Sequence, residues 1–171
     1  MVAAAQGGSD AAIEELFRRH WPGTLRAAYL IVRDAAAAED IAQEAFLSAL
    51  GALDRFDRRR PFAPWLHRIA VNRAIDWSRA RRARQEVAES DALLGSVNPI
   101  APADERVAVR DELDAALGTL SPEHRAMVVL RYLLEYTPGE IARMVDLPRG
   151  TVNSRLRRAL DHLSEQLGEE S

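Results

Sequence analysis

Residues Thr137–Leu160 read TPGEIARMVDLPRGTVNSRLRRAL, and this stretch predicts two short helices joined by a tight turn. Thr137 can cap the first helix, Pro138 suits its first position, and Glu140 can complete a capping box by reaching back to the Thr137 N–H. Pro148 lacks an N–H and disfavours helical geometry in the residue before it, so the first helix ends there. This outline is that of a helix-turn-helix, which lays its second helix in the DNA major groove.

The second helix runs from about Arg149 to Leu167 and has two chemically different sides. Its predicted apolar stripe comprises Val152, Leu156, Ala159, Leu160 and Leu163. At about 100° per residue, the opposite side carries Ser154, Arg157 and Arg158, flanked by Asn153 and Arg155. Residues 143–158 hold five arginines and one acid, a local charge of 5 − 1 = +4. A solvated basic face explains any single arginine, but the capped helix, the turn and the basic helix together favour DNA binding.

Composition limits the classes of protein that the chain can form. At 171 residues it fits one domain or two small ones, and an apolar fraction of 47% is enough for a packed core. Because the net charge is −3, DNA contacts must come from local patches. The absence of cysteine excludes disulfides and cysteine-ligated metals within the chain. With no membrane-spanning stretch and no signal-peptide pattern, we expect a cytoplasmic protein without membrane insertion, cofactor or metal.

Hydrophobic periodicity predicts helices nearly throughout and no strands. The first half is expected to hold four helices. The first is capped by Ser9 or Asp10 and has Ile13, Leu16 and Phe17 inward, and the second is opened by Pro22. The third runs from Ala35 to Leu53 with Asp34 as its cap, and the fourth runs from Pro64 to about Arg84. Residues 86–103 are rich in Gly, Ser, Asn and Pro and predict a flexible linker. Four more helices follow. We therefore expect an all-α chain with two small domains, at residues 1–85 and 104–171.

The third predicted helix carries a second stripe besides its core-facing one. The core stripe comprises Ala38, Ile41, Ala42, Ala45 and Phe46. Asp40, Gln43, Glu44 and Leu47 recur at i, i+3, i+4 and i+7, so they share another face, the acidic stripe. An acidic, amide-bearing face that ends in a leucine suits protein docking. A plain solvated face with one exposed leucine explains the same pattern, and the sequence leaves both open.

The fourth predicted helix and the segment before it are strongly basic. Residues 55–84 hold ten arginines and two acids, a local charge of 10 − 2 = +8. The interleaved aromatic residues are Phe56, Phe62, Trp65 and Trp77. Arginines that follow phosphates and rings that stack on bases are typical of single-stranded DNA binding. Core packing is the alternative, stronger for Trp65 and Trp77 than for Phe56, and the mid-helix Asn72 can bond a base edge or a local network.

Four blocks of the sequence, taken in order, resemble one known family. They are AAAAEDIAQEAFLSAL (35–50), FDRRRPFAPWLHRIAVNRAIDW (56–77), LSPEHRAMVVLRYL (120–133) and YTPGEIARMVDLPRGTVNSRLRRA (136–159). These blocks resemble the extracytoplasmic-function (ECF) group of bacterial RNA polymerase sigma factors. The resemblance implies a sigma region two at residues 1–85, a linker at 86–103 and a sigma region four at 104–171.

The resemblance also implies a role for each surface. The first half would bind core polymerase and read the minus-ten promoter element, and the second half would read the minus-thirty-five element. The acidic stripe of Asp40, Gln43, Glu44 and Leu47 would bind the clamp coiled coil of the largest polymerase subunit. The protein would also contact the flap of the second subunit. The residues implied at the minus-ten element are Phe56, Arg58, Arg59, Arg60, Asn72, Arg73 and Arg79. Those implied at the minus-thirty-five element are Arg149, Thr151, Asn153, Ser154, Arg155, Arg157 and Arg158.

Two positions depart from the family pattern. Asn153 stands where the family often has Lys or Arg, and Leu160 stands where Arg is frequent. Both changes remove charge, so the promoter sequence cannot be copied from a relative. The family also implies an anti-sigma protein that covers both halves, although nothing in the sequence identifies it.

Two other functions compete with a sigma factor. A stand-alone dimeric helix-turn-helix regulator leaves the first half without a role. An enzyme is disfavoured because His20, His67, His124 and His162 are scattered and no paired carboxylates or nucleophile–base pattern accompanies them. We therefore expect a promoter-specificity subunit without catalytic activity, which directs polymerase to promoters, assists their opening and serves a stress- or signal-dependent regulon.

Overall fold

The computed structural model describes residues 1–91 and 114–168, where all regular structure is helical. The helices are α1 (Val2–Gln6), α2 (Asp10–Val32), α3 (Ala35–Gly51), α4 (Phe62–Asp91), α5 (Pro122–Val128), α6 (Pro138–Val145) and α7 (Arg149–Gly168). Residues 114–119 form a further helical stretch before α5. The all-α prediction is confirmed. Of the predicted linker, residues 86–91 extend α4 and the rest lies outside the described residues.

Helix α2 joins the two helices predicted on either side of Pro22, so that prediction was wrong. Pro22 lies inside α2 and removes one helical hydrogen bond. The buried face of α2 nevertheless continues past it, from Leu16 to Ala27 and Ile31, and packs against α3 and α4. This packing outweighs the local preference of proline. Phe17 was expected inward but is 41% exposed, because its neighbour Leu16 takes the buried position.

Helices α2, α3 and α4 pack together as the first half of the chain. Asp34 caps α3 as expected, its Oδ1 accepting from the Ala37 N–H at 3.0 Å. The predicted core stripe of α3 is fully buried, from Ala38 to Phe46. Helix α3 ends at Gly51, and a short 3-10 turn, Leu53–Arg55, leads towards α4. The short helix α1, which the sequence did not indicate, packs against α2 and this turn.

The second half contains the predicted helix-turn-helix as α6 and α7. Its capping box is confirmed, since the Thr137 N–H donates to Glu140 Oε2 at 2.8 Å and the Glu140 N–H donates to Thr137 Oγ1 at 3.4 Å. Asp146, with a left-handed φ of 55°, ends α6. Val152, Leu156, Ala159 and Leu163 are buried on α7 as expected. Leu160 is 40% exposed, so its assignment to the apolar stripe was wrong.

The two halves share one hydrophobic core, which the sequence did not indicate. A continuous buried cluster includes Ile31 of α2 and Val71 of α4 together with Met127, Leu130 and Ile141 of the second half. All five side chains are at most 1% exposed. Burial of apolar side chains to this extent stabilises their contact by roughly 1.5–3 kcal/mol each. The second half is therefore packed against α2 and α4 in this arrangement, which we call the closed arrangement.

Candidate protein-binding and DNA-binding surfaces

The acidic stripe of α3 faces solvent. Asp40, Gln43, Glu44 and Leu47 are all exposed, opposite the buried stripe of the same helix. Leu47 is 61% exposed, far more than an aliphatic side chain in a core. Glu44 also accepts a hydrogen bond from Arg73 of α4 at 2.6 Å. The stripe thus presents an apolar residue beside carboxylates, and one of these carboxylates is paired within the chain.

The basic segment before α4 forms a tight turn, Asp57–Arg60, which we call the basic turn. The Arg60 N–H donates to the Asp57 carbonyl at 2.9 Å, and the Arg59 N–H donates to Asp57 Oδ1 at 3.0 Å. The aspartate therefore closes the turn by itself, as Asx turns do. Arg58, Arg59 and Arg60 all project into solvent. Three cations at one exposed turn form a surface that suits a phosphate backbone.

Phe56 precedes the basic turn but does not present its ring. Its side chain is 8% exposed and lies against Trp65, with ring centroids 4.6 Å apart, and against Phe62 at 5.9 Å. The expectation of an open Phe56 face is corrected here, because three aromatic rings gain more from packing on one another than from exposure. Phe56 and Trp65 instead line one wall of a cavity of about 740 Å³, whose other wall is formed by Glu140, Arg143 and Met144 of α6.

The predicted DNA-reading residues of α4 divide into two groups. Arg73 turns towards α3, donating to Glu44 and, at 2.8 Å, to Ser48 Oγ. Asn72 and Arg79 turn towards the second half and line a separate cavity of about 290 Å³ with Met127. Asn72 and Phe56, which the resemblance both assigned to the minus-ten element, therefore border different cavities.

Arg79 also bonds directly to the second half. Its Nε donates to Glu123 Oε1 at 2.5 Å. Burial opposes ionisation of Glu123, but the hydrogen bond and charge of Arg79 outweigh it and lower the pKa of that carboxyl. Arg79 is thus partly neutralised by α5 in the closed arrangement.

Helix α7 presents an open basic face. Arg149, Asn153, Arg157 and Arg158 are exposed, and Arg157 and Arg158 lie on the side away from the buried stripe. Ser154 is partly buried and donates to the Thr151 carbonyl at 3.0 Å. Arg155 differs from its neighbours, because it lines the same cavity as Asn72. Among the predicted α7 residues, Arg155 therefore faces the first half.

Arg125, which is 8% exposed, links the two halves in the closed arrangement. Its guanidinium donates to four backbone carbonyls, those of Leu117 at 2.7 Å, Ile31 at 2.6 Å, Gly118 at 3.2 Å and Leu120 at 2.9 Å. Ile31 belongs to the end of α2, where helix carbonyls lack partners within the helix. Burial lowers the pKa of Arg125 to about 10, so the side chain still carries its charge at neutral pH.

A second polar contact joins the halves at His67 and Tyr136. His67 Nδ1 and the Tyr136 hydroxyl lie 2.7 Å apart. Burial, with a smaller contribution from His20, lowers the pKa of His67 to about 4, and burial raises that of Tyr136 to about 12. Both groups are therefore neutral at pH 7, as a buried polar pair requires. Neither this pair nor the Arg125 contact with Ile31 could be predicted from local sequence patterns, because the partners lie 69 and 94 residues apart.

Within residues 1–91 and 114–168, no cluster of His, Asp or Glu could hold a metal ion. Across the same residues, no helix has the length and apolar character needed to span a bilayer.

Two regions of the chain match models of known protein families. Residues 16–84 match Sigma-70 region 2, and residues 110–163 match Sigma-70 region 4. The ECF RNA polymerase sigma factor SigM of Mycobacterium tuberculosis is 37% identical over 98% of this chain and 83% of its own length. The sigma factor CarQ of Myxococcus xanthus is 34% identical over 95% of this chain and 92% of its own length. Sigma factors are generally not enzymes.

A solved structure is similar along the whole chain. CnrH, a sigma factor of Cupriavidus metallidurans solved with the cytosolic domain of CnrY, is 29% identical and superimposes with a TM-score of 0.73. The match covers 99% of this chain and 96% of CnrH. By both its sequence and its fold, the chain belongs to the ECF RNA polymerase sigma factors.

Proposed function

We propose that this sigma factor binds core polymerase through the acidic stripe of α3 and reads promoter DNA through two separate basic surfaces. The observation that carries the proposal is the separation of charge on one small chain: an exposed acidic stripe, an exposed basic turn and an exposed basic helix face. A stand-alone regulator needs only the last of these. Three surfaces of this kind suit a subunit that holds an enzyme and DNA together.

The minus-ten reader is proposed to combine the basic turn with α4. Arg58, Arg59 and Arg60 would follow the phosphates of the opened strand, as exposed arginines do in single-strand binding. Asn72, Arg73 and Arg79 would contribute from α4. The buried ring of Phe56 would support the turn from below rather than stack on a base.

The minus-thirty-five reader is proposed to be the open face of α7. Arg149, Asn153, Arg157 and Arg158 are the exposed members, and Thr151, Ser154 and Arg155 complete the set. Arginine contacts both phosphates and guanine edges, whereas Asn153 favours adenine or a phosphate. Because Asn153 and Leu160 replace charge, the recognised sequence would be this protein's own.

The proposed partners are core polymerase, promoter DNA and an anti-sigma protein. CnrH was solved with the cytosolic domain of CnrY, and we extend that type of partner to this chain. We also propose that the protein acts in the cytoplasm without cofactor or catalysis of its own, since polymerase supplies the chemistry. Two weak readers on one chain would raise each other's effective concentration and test the spacing of the two elements.

The decisive experiment is in vitro transcription with core polymerase over a library of randomised promoters. The expected result is transcription that requires this chain and returns two conserved elements at a fixed spacing. Core polymerase alone is the control. Promoter-independent transcription, or tight binding of the free protein to twofold-symmetric duplex sites, would instead support the dimeric regulator.

The docking assignment can be tested with a matched pair of substitutions on α3. Asp40→Arg inverts a charge within the acidic stripe, and Glu39→Arg inverts the neighbouring exposed charge outside it. Co-purification with core polymerase is expected to fall at least tenfold for Asp40→Arg and to stay near wild type for Glu39→Arg. Equal behaviour of the two variants would contradict docking through this stripe.

A further inference from the structure

Helix α1 bonds the segment that leads into the basic turn through the side chain of Gln6. Gln6 Nε2 donates to the Leu53 carbonyl at 2.8 Å and to the Phe56 carbonyl at 3.0 Å. A carboxamide nitrogen carries two hydrogens, so both bonds can form together. Gln6 lies before the stretch that matches Sigma-70 region 2, and no sequence pattern assigned it a role.

The two carbonyls mark the ends of the 3-10 turn that leads into the basic turn. Leu53 begins that turn, and its carbonyl also accepts the Phe56 N–H at 3.0 Å. Phe56 follows the turn in an extended conformation, directly before Asp57. For the Phe56 carbonyl, Gln6 is the one donor found within the described residues. Gln6 therefore fixes the chain two residues before Arg58, the first arginine of the basic turn.

Helix α1 is held firmly enough to act as this support. Five residues are too few for a stable helix on their own, so its position comes from packing. Ala5 is buried in the same cluster as Phe56 and Phe62. Gly8, with a φ of +82° that suits glycine, reverses the chain into α2, and the Ser9 N–H donates to the Ala4 carbonyl at 3.0 Å. Gln6 thus ties the segment before the basic turn to α1, which is itself packed on α2.

We infer that Gln6 is a positioning residue for minus-ten recognition, because it sets where Arg58, Arg59 and Arg60 stand relative to α4. The inference rests on the proposed function of the basic turn. The turn closes on itself through Asp57, so losing Gln6 would not unfold it. Losing Gln6 would let the whole turn shift at its base, and the arginines would then follow the strand with less discrimination between sequences.

The test uses holoenzyme assembled from core polymerase and the full chain. Gln6→Met keeps the side-chain length and removes both donors, and Gln6→Lys returns donors on a flexible stem. Ala3→Met, exposed on the same helix, is the matched control. The readout is the ratio of affinities for two single-stranded oligonucleotides, one with the minus-ten sequence selected from the promoter library and one with its bases scrambled.

Gln6→Met is expected to lower this ratio about three- to tenfold, the range that one or two lost hydrogen bonds give. Gln6→Lys should recover part of the loss, and Ala3→Met should match wild type. Affinity for core polymerase and for minus-thirty-five duplex should stay unchanged, which a general loss of stability would not allow. A wild-type ratio for Gln6→Met would overturn the inference.

A parallel variant separates this failure from failure of the proposed function. Arg58→Ala with Arg59→Ala should weaken binding to both oligonucleotides. If that variant binds as wild type does, the basic turn is not the minus-ten reader and the role of Gln6 falls with it. If it weakens binding while Gln6→Met keeps the wild-type ratio, only the role of Gln6 is wrong.

Discussion

The two proposed DNA readers differ in how much of each is covered by the rest of the chain. On α7, Arg157 and Arg158 are open to solvent on the side away from the core. On α4, Asn72 borders a cavity closed by the second half, and Arg79 donates to Glu123 of that half. One reader is therefore open in the closed arrangement and the other is partly covered by its own chain. We expect α7 to bind DNA without rearrangement, whereas α4 needs the halves to separate.

Among the variants that change how far the second half covers α4, Arg125→Met is expected to have the largest effect. The substitution removes the Arg125 donors from four backbone carbonyls, of which that of Leu117 keeps the Leu120 N–H. Each buried carbonyl left unmet costs about 1–3 kcal/mol before relaxation. We expect the free energy of unfolding, measured by chemical denaturation, to fall by roughly 3 kcal/mol or more. Energy transfer between dyes on cysteines introduced at Asp54 and Glu165 should report wider separation of the halves, since the natural chain has no cysteine to interfere.

Arg26→Met is the control for Arg125→Met. Arg26 is exposed on α2, so its loss should change stability by less than about 0.5 kcal/mol. If both variants unfold at the same denaturant concentration and give the same energy transfer, Arg125 does not hold the halves together.

The next effect is expected at the open reader. Arg157→Ala with Arg158→Ala should weaken binding to a duplex minus-thirty-five site about tenfold or more and reduce the slope of log K against log salt by about 2, because two phosphate contacts are lost. A mobility-shift titration over salt concentration measures both. Arg18→Ala with Arg19→Ala removes the same charge from α2 and should leave the slope unchanged. An unaltered slope in the α7 variant would contradict groove contact.

The open reader could be predicted from sequence because its determinants are local. The capping box of Thr137 and Glu140, the break at Pro148 and the face of Arg157 each depend on neighbours within a few residues. The covered reader could not be predicted in the same way. Its cover depends on the contact of Arg125 with the Ile31 carbonyl, across 94 residues, and no local pattern encodes such a pairing.

The same distinction explains the local errors. Pro22 favours a helix start, but packing on both sides carried α2 through it. Leu160 fits the apolar stripe of α7 by periodicity, yet it lies at the edge of that stripe and is 40% exposed. Gln6 stands in an alanine-rich segment without any sign that a distant turn needs its donors. Helix positions followed from the sequence, whereas the partners of buried polar groups required the tertiary structure.

Acidification is expected to have a smaller effect on stability, through the contact of His67 with the second half. Burial lowers the folded-state pKa of His67 to about 4 from an ordinary 6.5, so the folded protein binds its proton less readily than the unfolded chain. The stability that His67 contributes is therefore present above about pH 6.5 and is lost as pH falls towards 4. At pH 5 the loss is about 1–2 kcal/mol. Denaturation at pH 7 and pH 5 measures it.

Two variants assign this acid effect. His67→Gln keeps a polar partner for Tyr136 without titrating in this range, so it should show a smaller loss between pH 7 and pH 5. Tyr136→Phe removes the hydrogen bond but keeps the titrating ring, so it should retain the pH dependence. The carboxylates are the same in all three proteins. Only the differences between the three pH profiles therefore report on His67 and Tyr136. Identical pH profiles for wild type and His67→Gln would exclude His67 as the cause.

The smallest effect is expected at the Arg79–Glu123 pair, where the cover touches a proposed DNA contact directly. The Arg79 side chain is 56% exposed, and such pairs contribute roughly 0.2–1 kcal/mol in a double-mutant cycle. Stability should therefore change little. Glu123→Gln removes the charge that holds Arg79, so holoenzyme should bind the single-stranded minus-ten oligonucleotide up to about fivefold more tightly.

Glu135→Gln, an exposed change of the same charge in the second half, should give no gain. Adding Arg79→Ala to Glu123→Gln should remove the gain, because the gain depends on the freed guanidinium. If Glu123→Gln and Glu135→Gln bind DNA equally, then Arg79 is not limited by its contact with α5. In that case α4 would be covered by the hydrophobic core at Met127 and Ile141 rather than by ion pairing. Of the two substitutions, Glu123→Gln and Arg125→Met, only the second should then uncover α4.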